Sequence, residues 1–150
     1  MEYVMKKLIA VVTLPILLAA CQSTGNENAM AKTITPQDLQ HHNWELIQID
    51  GEAIETPDNM QAPRLEIGEK MTANGNAGCN NFFGQGELDN NRFRIQQMGM
   101  TMKMCHNDVM GTEMTFSKSL SDWNEISLTN ESMTLTNESH TLTFKLSDWK

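Results

Sequence analysis

Apolar and polar residues alternate along several short stretches of the chain, which is the pattern of β-strands that bury one face. In the first stretch, residues 43–49, Trp44 and Leu46 alternate with polar residues, and Ile47 and Ile49 continue the pattern less strictly. The Asp50-Gly51 pair that follows is typical of a tight hairpin turn. Residues 43–51 therefore predict a strand with a hairpin connection.

The same alternation predicts more strands later in the chain. Residues 63–68 predict a second short strand, and Asp89-Asn90-Asn91 predicts a turn between two further strands. The last two strands are marked by alternating apolar residues, namely Met133, Leu135, Leu142, Phe144 and Leu146. We expect these strands to form an antiparallel meander that closes the domain.

One segment has helical instead of strand periodicity. Its apolar face carries Val109, Phe116, Leu120 and Trp123, and Glu113 interrupts that face. The spacing predicts a helix over about 108–121 that packs against the sheet, with Asn107 or Asp108 as its N-cap. We expect Glu113 to lie at the edge of the buried face.

The segment between Gly75 and Cys105 joins these patterns. Four glycines, at positions 75, 78, 84 and 86, surround the apolar pair Phe82-Phe83. Because glycine tolerates positive φ and close backbone approach, this density predicts an irregular, tightly bent stretch.

Four methionines, Met98, Met100, Met102 and Met104, recur at every second position of this segment. On a strand, all four side chains would share one face. One interpretation is a thioether ladder for Cu(I), assisted by the adjacent Cys105 and His106, because soft ligands select that ion. The other interpretation, which we prefer, is that flexible methionines fill an irregular core against Phe82-Phe83.

The N-terminus predicts export and lipidation. Lys6-Lys7 precedes the short apolar run of residues 8–18, which is the order of a secretory signal. The run ends in Leu18-Ala19-Ala20-Cys21, which resembles a bacterial lipobox. We therefore predict a signal peptide at 1–20, cleaved before Cys21, and a cysteine that carries acyl chains such as palmitate.

Lipid on Cys21 would tie the protein to a membrane through the polar residues 21–37, which predict a flexible tether. Position 22 is Gln22 and not aspartate, which favours the outer membrane, with the protein facing the periplasm. Residues 38–150 are enough for one domain. We expect a monomer.

The net charge of the chain and the absence of catalytic sequence motifs argue against some classes of function. The formal net charge is −8 for 150 residues, which argues against nucleic acid as a partner. The sequence has no HExxH, GxSxG or CxxC motif, and its four histidines are dispersed. We expect no enzyme activity and no cofactor; a protein partner or ligand is not identified by these features.

The chain has three cysteines. If Cys21 carries lipid, Cys79 and Cys105 remain as a pair in an oxidising compartment. A disulfide between them would close a loop worth about 3–4 kcal/mol in the chain-entropy model. A redox-active pair or two metal thiolates are the alternatives, although the spacing is not that of either.

Several motifs together resemble the META domain family, of the heat-shock lipoprotein type. The resemblance rests on Trp44-Glu45-Leu46, Gly78-Cys79-Asn80-Asn81-Phe82-Phe83-Gly84, Met100-Thr101-Met102-Lys103-Met104-Cys105, Glu113 with Phe116 and Leu120, and Leu142-Thr143-Phe144. It places a META domain in residues 38–150.

The resemblance implies a compact α+β domain, which is a mainly antiparallel β-sheet or roll with one packed α-helix at about 108–121. It also implies a role in heat or envelope stress and in tolerance of antibiotics such as novobiocin. It supplies no catalytic residues and supports pairing of Cys79 with Cys105. The predicted function is therefore a non-enzymatic envelope lipoprotein. The alternative is a periplasmic protein that binds a small ligand beside the glycine-rich loop, or Cu(I) on the Met98–Met104 strand.

Overall fold

A computed structural model describes residues 32–148 of the chain. The described part contains nine strands, two α-helices and one 3-10 turn, Glu69–Met71. The helices and strands are α1 (Pro36–Leu39), β1 (His42–Ile49), β2 (Glu52–Ala53), β3 (Arg64–Ile67), β4 (Thr72–Asn76), β5 (Asn81–Asp89), β6 (Arg92–Met100), α2 (Asn107–Ser121), β7 (Asn124–Leu128), β8 (Ser132–Thr136) and β9 (Thr141–Leu146). The predicted signal peptide, Cys21 and most of the predicted tether lie outside the described residues.

Eight of the strands form a closed barrel in which all neighbours are antiparallel. The order is β1-β3-β4-β5-β6-β7-β8-β9, and β9 pairs back onto β1 with Trp44 opposite Leu146. The two-residue β2 pairs only with the end of β1. The prediction of a mainly antiparallel β-fold with one packed helix is confirmed, but the sheet closes into a barrel and does not form the roll that was expected. Closure satisfies the backbone groups that an open sheet would leave at its edges.

The hydrophobic core lies inside the barrel and is formed by the apolar positions that alternate along the strands. On β3, β8 and β9, buried side chains alternate with more exposed ones, and the same spacing holds for Trp44 and Leu46 on β1 and for Phe93 and Ile95 on β6. The fully buried side chains include Leu46, Leu65, Ile67, Phe93, Ile95, Met133, Leu135, Leu142 and Phe144. Because the period of a strand is two, these positions could be identified without knowledge of the pairing.

Two hairpin turns use residues with positive φ, as predicted. Asp50 and Gly51 have φ of 55° and 82° between β1 and β2. Asn90 and Asn91 have φ of 47° and 57° between β5 and β6. Asparagine, aspartate and glycine tolerate the left-handed region better than other residues, which is why these pairs mark the turns.

Helix α2 covers one end of the barrel. Phe116 contacts Phe82 of β5 at 5.9 Å and Phe144 of β9 at 6.1 Å between ring centroids. The predicted helix is confirmed to within one residue. The residue at its N-cap is His106, not Asn107 or Asp108.

Residues 32–39, called the N-terminal strap below, lie at the opposite end of the barrel. Ile34 and Leu39 belong to the core, and the backbone N–H of Ile34 donates to Asn91 Oδ1 at 2.8 Å. Asn91 Nδ2 donates in turn to the carbonyl of Lys32 at 3.3 Å. The strap is thereby fixed to the β5–β6 turn. Within residues 32–148, none of the helices has the length and apolar character needed to cross a membrane.

Candidate functional site

The structure pairs Cys79 with Cys105 in a disulfide across 26 positions of sequence, with 6.0 Å between the Cα atoms. Cys79 lies in the connection between β4 and β5, and Cys105 lies just before α2. The resemblance implied this pairing. Within residues 32–148 there is no cluster of three or more histidine, cysteine, aspartate or glutamate side chains that could hold a metal ion. The thiolate alternative therefore has no supporting ligands in this part of the chain.

A buried carboxylate holds the same connection from the helix side. Glu113 on α2 is only 5% exposed. Its Oε2 accepts the backbone N–H of Cys79 at 3.0 Å and that of Asn80 at 2.6 Å, and its Oε1 accepts Asn80 Nδ2 at 2.8 Å. The expectation that Glu113 lies at the edge of the helix face is wrong, because the bent glycine-rich loop presents backbone donors directly over the helix.

Asn80 connects this carboxylate to the segment that follows β6. Its Oδ1 accepts the backbone N–H of Lys103 at 2.7 Å and the hydroxyl of Thr101 at 2.8 Å. Its Nδ2 also donates to the carbonyl of Lys103 at 3.0 Å. The residues Cys79, Asn80, Thr101, Lys103 and Glu113 are called the Glu113 brace below. The brace joins the same two segments as the disulfide.

The geometry of the brace indicates a structural role. Both carboxylate oxygens of Glu113 already accept hydrogen bonds from the chain, and Gly78 makes the reversal before Cys79 with φ of 121°. A buried carboxylate whose two oxygens both accept hydrogen bonds from the chain has little capacity left for a ligand. The available sequence signal was a charged residue in the middle of an apolar helix face.

The four methionines do not form a single ladder. Strand β6 ends at Met100, and a positive φ of 51° at Gln97 shifts its register. Met98 and Met100 are half-buried against the core, whereas Met102 and Met104 are 96% and 88% exposed beyond the strand. The expectation that all four methionines share one face is therefore wrong. The preferred interpretation, that methionines fill the core, is confirmed for Met98 and Met100 only.

The predicted apolar pair Phe82-Phe83 is divided in the same way. Phe82 is buried, while Phe83 is 65% exposed and its ring lies over Gly99. A Cβ at Gly99 would come within 2.5 Å of that ring. Alternation along β5 places the two phenylalanines on opposite faces of the barrel wall.

The dispersed histidines do not meet. His42 Nδ1 lies 2.7 Å from Asp148 Oδ2, and His140 Nδ1 lies 2.8 Å from Asp50 Oδ2. The hydrogen bond from His140, followed by the one from the backbone N–H of Thr141, holds the pKa of Asp50 below its usual value. These pairs lie apart at the surface and link ends of the strands.

Burial and hydrogen bonding act in opposite directions on the pKa of Asp148. Partial burial acts to raise the pKa of Asp148, but the hydrogen bonds from the Asn43 backbone and the His42 ring lower it on balance. The ionised Asp148 therefore fixes the chain after β9 to the start of β1.

A cavity of about 570 Å³ lies at the strap end of the barrel. Trp44, Ile126, Leu128 and Leu146 form part of its wall, and the N-terminal strap covers one side. Trp44 is only 2% exposed, and its indole Nε1–H has no acceptor among the described residues. The sequence marked Trp44 as a core residue but gave no sign that its N–H is left without a partner.

Comparison with known proteins identifies the family. The family model of the META domain matches residues 37–149. The chain belongs to the META domain family. The matched residues of this META domain include Trp44, both paired cysteines and Glu113.

Individual relatives agree with this assignment. The chain is 35% identical over 145 residues to the heat shock protein HslJ of Escherichia coli (strain K12), covering 96% of this chain and 98% of HslJ. A solved NMR structure with 34% identity has a TM-score of 0.67 and covers 77% of this chain and 97% of its own. An NMR structure of a protein from Burkholderia xenovorans, with 23% identity and a TM-score of 0.61, covers 77% of this chain and 90% of its own and shares the fold.

Proposed function

We propose that this META domain protein is a non-enzymatic lipoprotein of the cell envelope that supports tolerance of heat and of novobiocin. The observation that carries the proposal is the extent of the similarity to HslJ. A match over 145 of 150 residues must take in most of residues 1–20 as well as the barrel. The similarity to this heat shock protein therefore includes most of the predicted export signal as well as the barrel.

Anchoring follows from the N-terminal sequence. Cleavage before Cys21 would free that residue for acyl chains such as palmitate. Two or more acyl chains are needed for stable anchoring, because a single chain binds a membrane only marginally. Gln22 directs the lipoprotein to the outer membrane, where the domain faces the periplasm.

A supporting rather than a catalytic role is favoured by how the polar groups are used. Glu113 is the one buried carboxylate of the described residues, and its oxygens accept three hydrogen bonds that hold the Cys79 loop. The disulfide and the Glu113 brace fasten the same two segments. Such double fastening suits a domain that must stay folded in a heated periplasm.

The test is complementation of an Escherichia coli strain that lacks HslJ. We expect the wild-type chain to restore growth at high temperature and in novobiocin, and to fractionate with the outer membrane. Cys21→Ser should leave the protein unprocessed or soluble and should abolish rescue, because no other site for lipid is predicted. Globomycin, which blocks lipoprotein signal cleavage, should cause the wild-type precursor to accumulate.

Two results would contradict the proposal. If Cys21→Ser stayed in the membrane fraction after high-salt washing, Cys21 would not be the anchor. If the wild-type chain, present at normal levels in the envelope, rescued neither phenotype, the stress role would have to be abandoned.

A further inference from the structure

An open depression lies on the outer wall of the barrel, over strands β4, β5 and β6. Its volume is about 420 Å³, and its lining includes five uncharged side chains, namely Thr72, Asn74, Phe83, Gln85 and Gln97. Among the described residues, none that lines it is charged, although the formal net charge of the chain is −8. A depression of this size is within the range of sites that hold small molecules.

Phe83 supplies an exposed aromatic ring to this depression. It pairs with Gly99 of β6, and its ring lies over that glycine, which has no side chain to displace it. Phe83 is 65% exposed, whereas the other phenylalanines of the chain are buried. A large apolar side chain held against a strand in solvent is unusual and offers a preformed surface for packing.

A β-bulge brings Gln97 into the same depression. The register of β5 and β6 shifts by one residue between Phe83 and Gln85, and Gln97 lies at this shift with φ of 51°. The left-handed region is costly for a residue with a Cβ, and glycine is the usual residue at such a bulge. Bulges are common beside functional sites, where they redirect a side chain, and backbone strain is concentrated at such sites. Gln97 therefore indicates that its amide is needed in the depression.

The amide groups of Asn74 and Gln97 are available to a ligand. Both residues are exposed, and neither side chain makes a hydrogen bond within residues 32–148. Each amide offers two N–H donors and one carbonyl acceptor. Gln85 differs, because its Nε2 donates to the carbonyls of Lys70 and Met71 and so supports the wall.

The surroundings of Phe83 restrict the class of ligand. Strands β4 and β5 are each paired on both sides, so an extended peptide has no strand edge to join here. The uncharged lining offers no cation to a phosphate or a carboxylate. An exposed aromatic ring beside free amides suits a neutral sugar, whose ring has an apolar C–H face and whose hydroxyl groups both donate and accept hydrogen bonds.

We propose that this face of the barrel binds a neutral glycan chain. The C–H face of one sugar ring packs against Phe83, and polar groups of the sugar form hydrogen bonds with the amides of Asn74 and Gln97. This inference goes beyond the stress role and does not depend on lipid anchoring.

The probes are tetra-N-acetylchitotetraose, which carries hydroxyl and acetamide groups, and maltotetraose, which carries hydroxyl groups only. The protein is the segment 22–150 without lipid. A related structure solved in solution is covered over 97% of its length by 77% of this chain, and the core residues lie within residues 34–146. The barrel therefore folds without the leader.

The measurement is a titration followed by the amide signals of the ¹⁵N-labelled segment in NMR spectra. We expect at least one of the two sugars to shift the signals of Asn74, Phe83, Gly84 and Gln97 in a saturable manner. The dissociation constant should be of the order of 1 mM, because the depression is open and few groups make contact.

Two variants separate binding from folding. Gln97→Gly removes the amide but suits the positive φ, so it should weaken binding about three- to tenfold without lowering the urea midpoint. Phe83→Leu still covers Gly99 but lacks the aromatic ring, and it should weaken binding by a similar factor. Phe83→Tyr keeps the ring and should bind as the wild type does.

Replacement of two other exposed apolar residues, Met102→Ala with Met104→Ala, is the matched control. These residues lie outside the depression, so the double variant should bind the sugar normally. Failure of both sugars to bind the wild-type segment would overturn the proposal, as would wild-type affinity in Gln97→Gly and Phe83→Leu. If a neutral alanine peptide shifted the same signals and neither sugar did, the face would bind peptides and the glycan proposal would be wrong.

Discussion

Replacing Glu113 by alanine removes the acceptor for three hydrogen bonds at once. Two come from the backbone N–H groups of Cys79 and Asn80, and one comes from Asn80 Nδ2. Glu113 is 5% exposed, so water cannot replace the carboxylate without a rearrangement of the loop. The backbone donors would be left buried and unpaired.

The magnitude follows from these contacts. A hydrogen bond to a charged group contributes about 1.5–3 kcal/mol, and such contributions within one network are not additive. Removal of the carboxylate also ends the cost of burying its charge. We therefore expect Glu113→Ala to lower the free energy of unfolding by about 3–5 kcal/mol, against a typical total of about 5–15 kcal/mol.

Glu113→Gln separates shape from acceptor capacity. The amide oxygen can still accept from the two backbone N–H groups, but the amide NH₂ would then face the Asn80 Nδ2 donor. Asn80 cannot simply rotate, since its Oδ1 already accepts from Lys103 and Thr101. We expect a loss of about 1–2 kcal/mol for this variant.

The assay is urea unfolding of the segment 22–150 with the disulfide intact, followed by circular dichroism. Met114→Ala is the matched control, because Met114 is on the same helix, is 71% exposed and should change stability by less than about 0.5 kcal/mol. A loss for Glu113→Ala no larger than that of the control would refute the reasoning. So would a Glu113→Gln variant less stable than Glu113→Ala.

Two further predictions concern the disulfide and the surface aspartates. Replacing both Cys79 and Cys105 by alanine should lower the free energy of unfolding by about 3.5 kcal/mol, because the disulfide closes a 26-residue loop. Dithiothreitol should destabilise the wild type but not this variant, and equal urea midpoints for the two proteins would contradict the prediction. Because the pKa of Asp50 is lowered in the folded state, the stability that Asp50 contributes is present above about pH 4 and is lost as the pH falls through the folded pKa. Asp50→Asn should therefore make the urea midpoint fall less steeply with decreasing pH in the acid range. An unchanged pH dependence would contradict the role of the pair with His140.

Alternation and helical spacing along the chain predicted most of the strands, helix α2 and much of the core, but strand β4 was not predicted. Alternating residues such as Leu142 and Phe144 could be assigned to the buried face of a strand because the strand period does not depend on the partner strand. The turn residues Asp50-Gly51 and Asn90-Asn91 could be recognised because positive φ is a local property of the backbone. Helix α2 could be predicted from the helical spacing of its apolar residues, which is also a local property of the chain.

How these elements close into a barrel, and what their polar groups contact, depends on contacts between distant segments. The pairing of β1 with β9 joins residues about 100 positions apart, and nothing local in either strand specifies it. The predicted positions of Glu113 and of the four methionines were wrong for a related reason, namely that contacts with distant segments decide them. The donors of Cys79 and Asn80 and the register shift at Gln97 arise where separate segments meet. Likewise, the cavity beside Trp44 exists only where strap, strands and turns are brought together, because a void is a property of packing and not of any one segment.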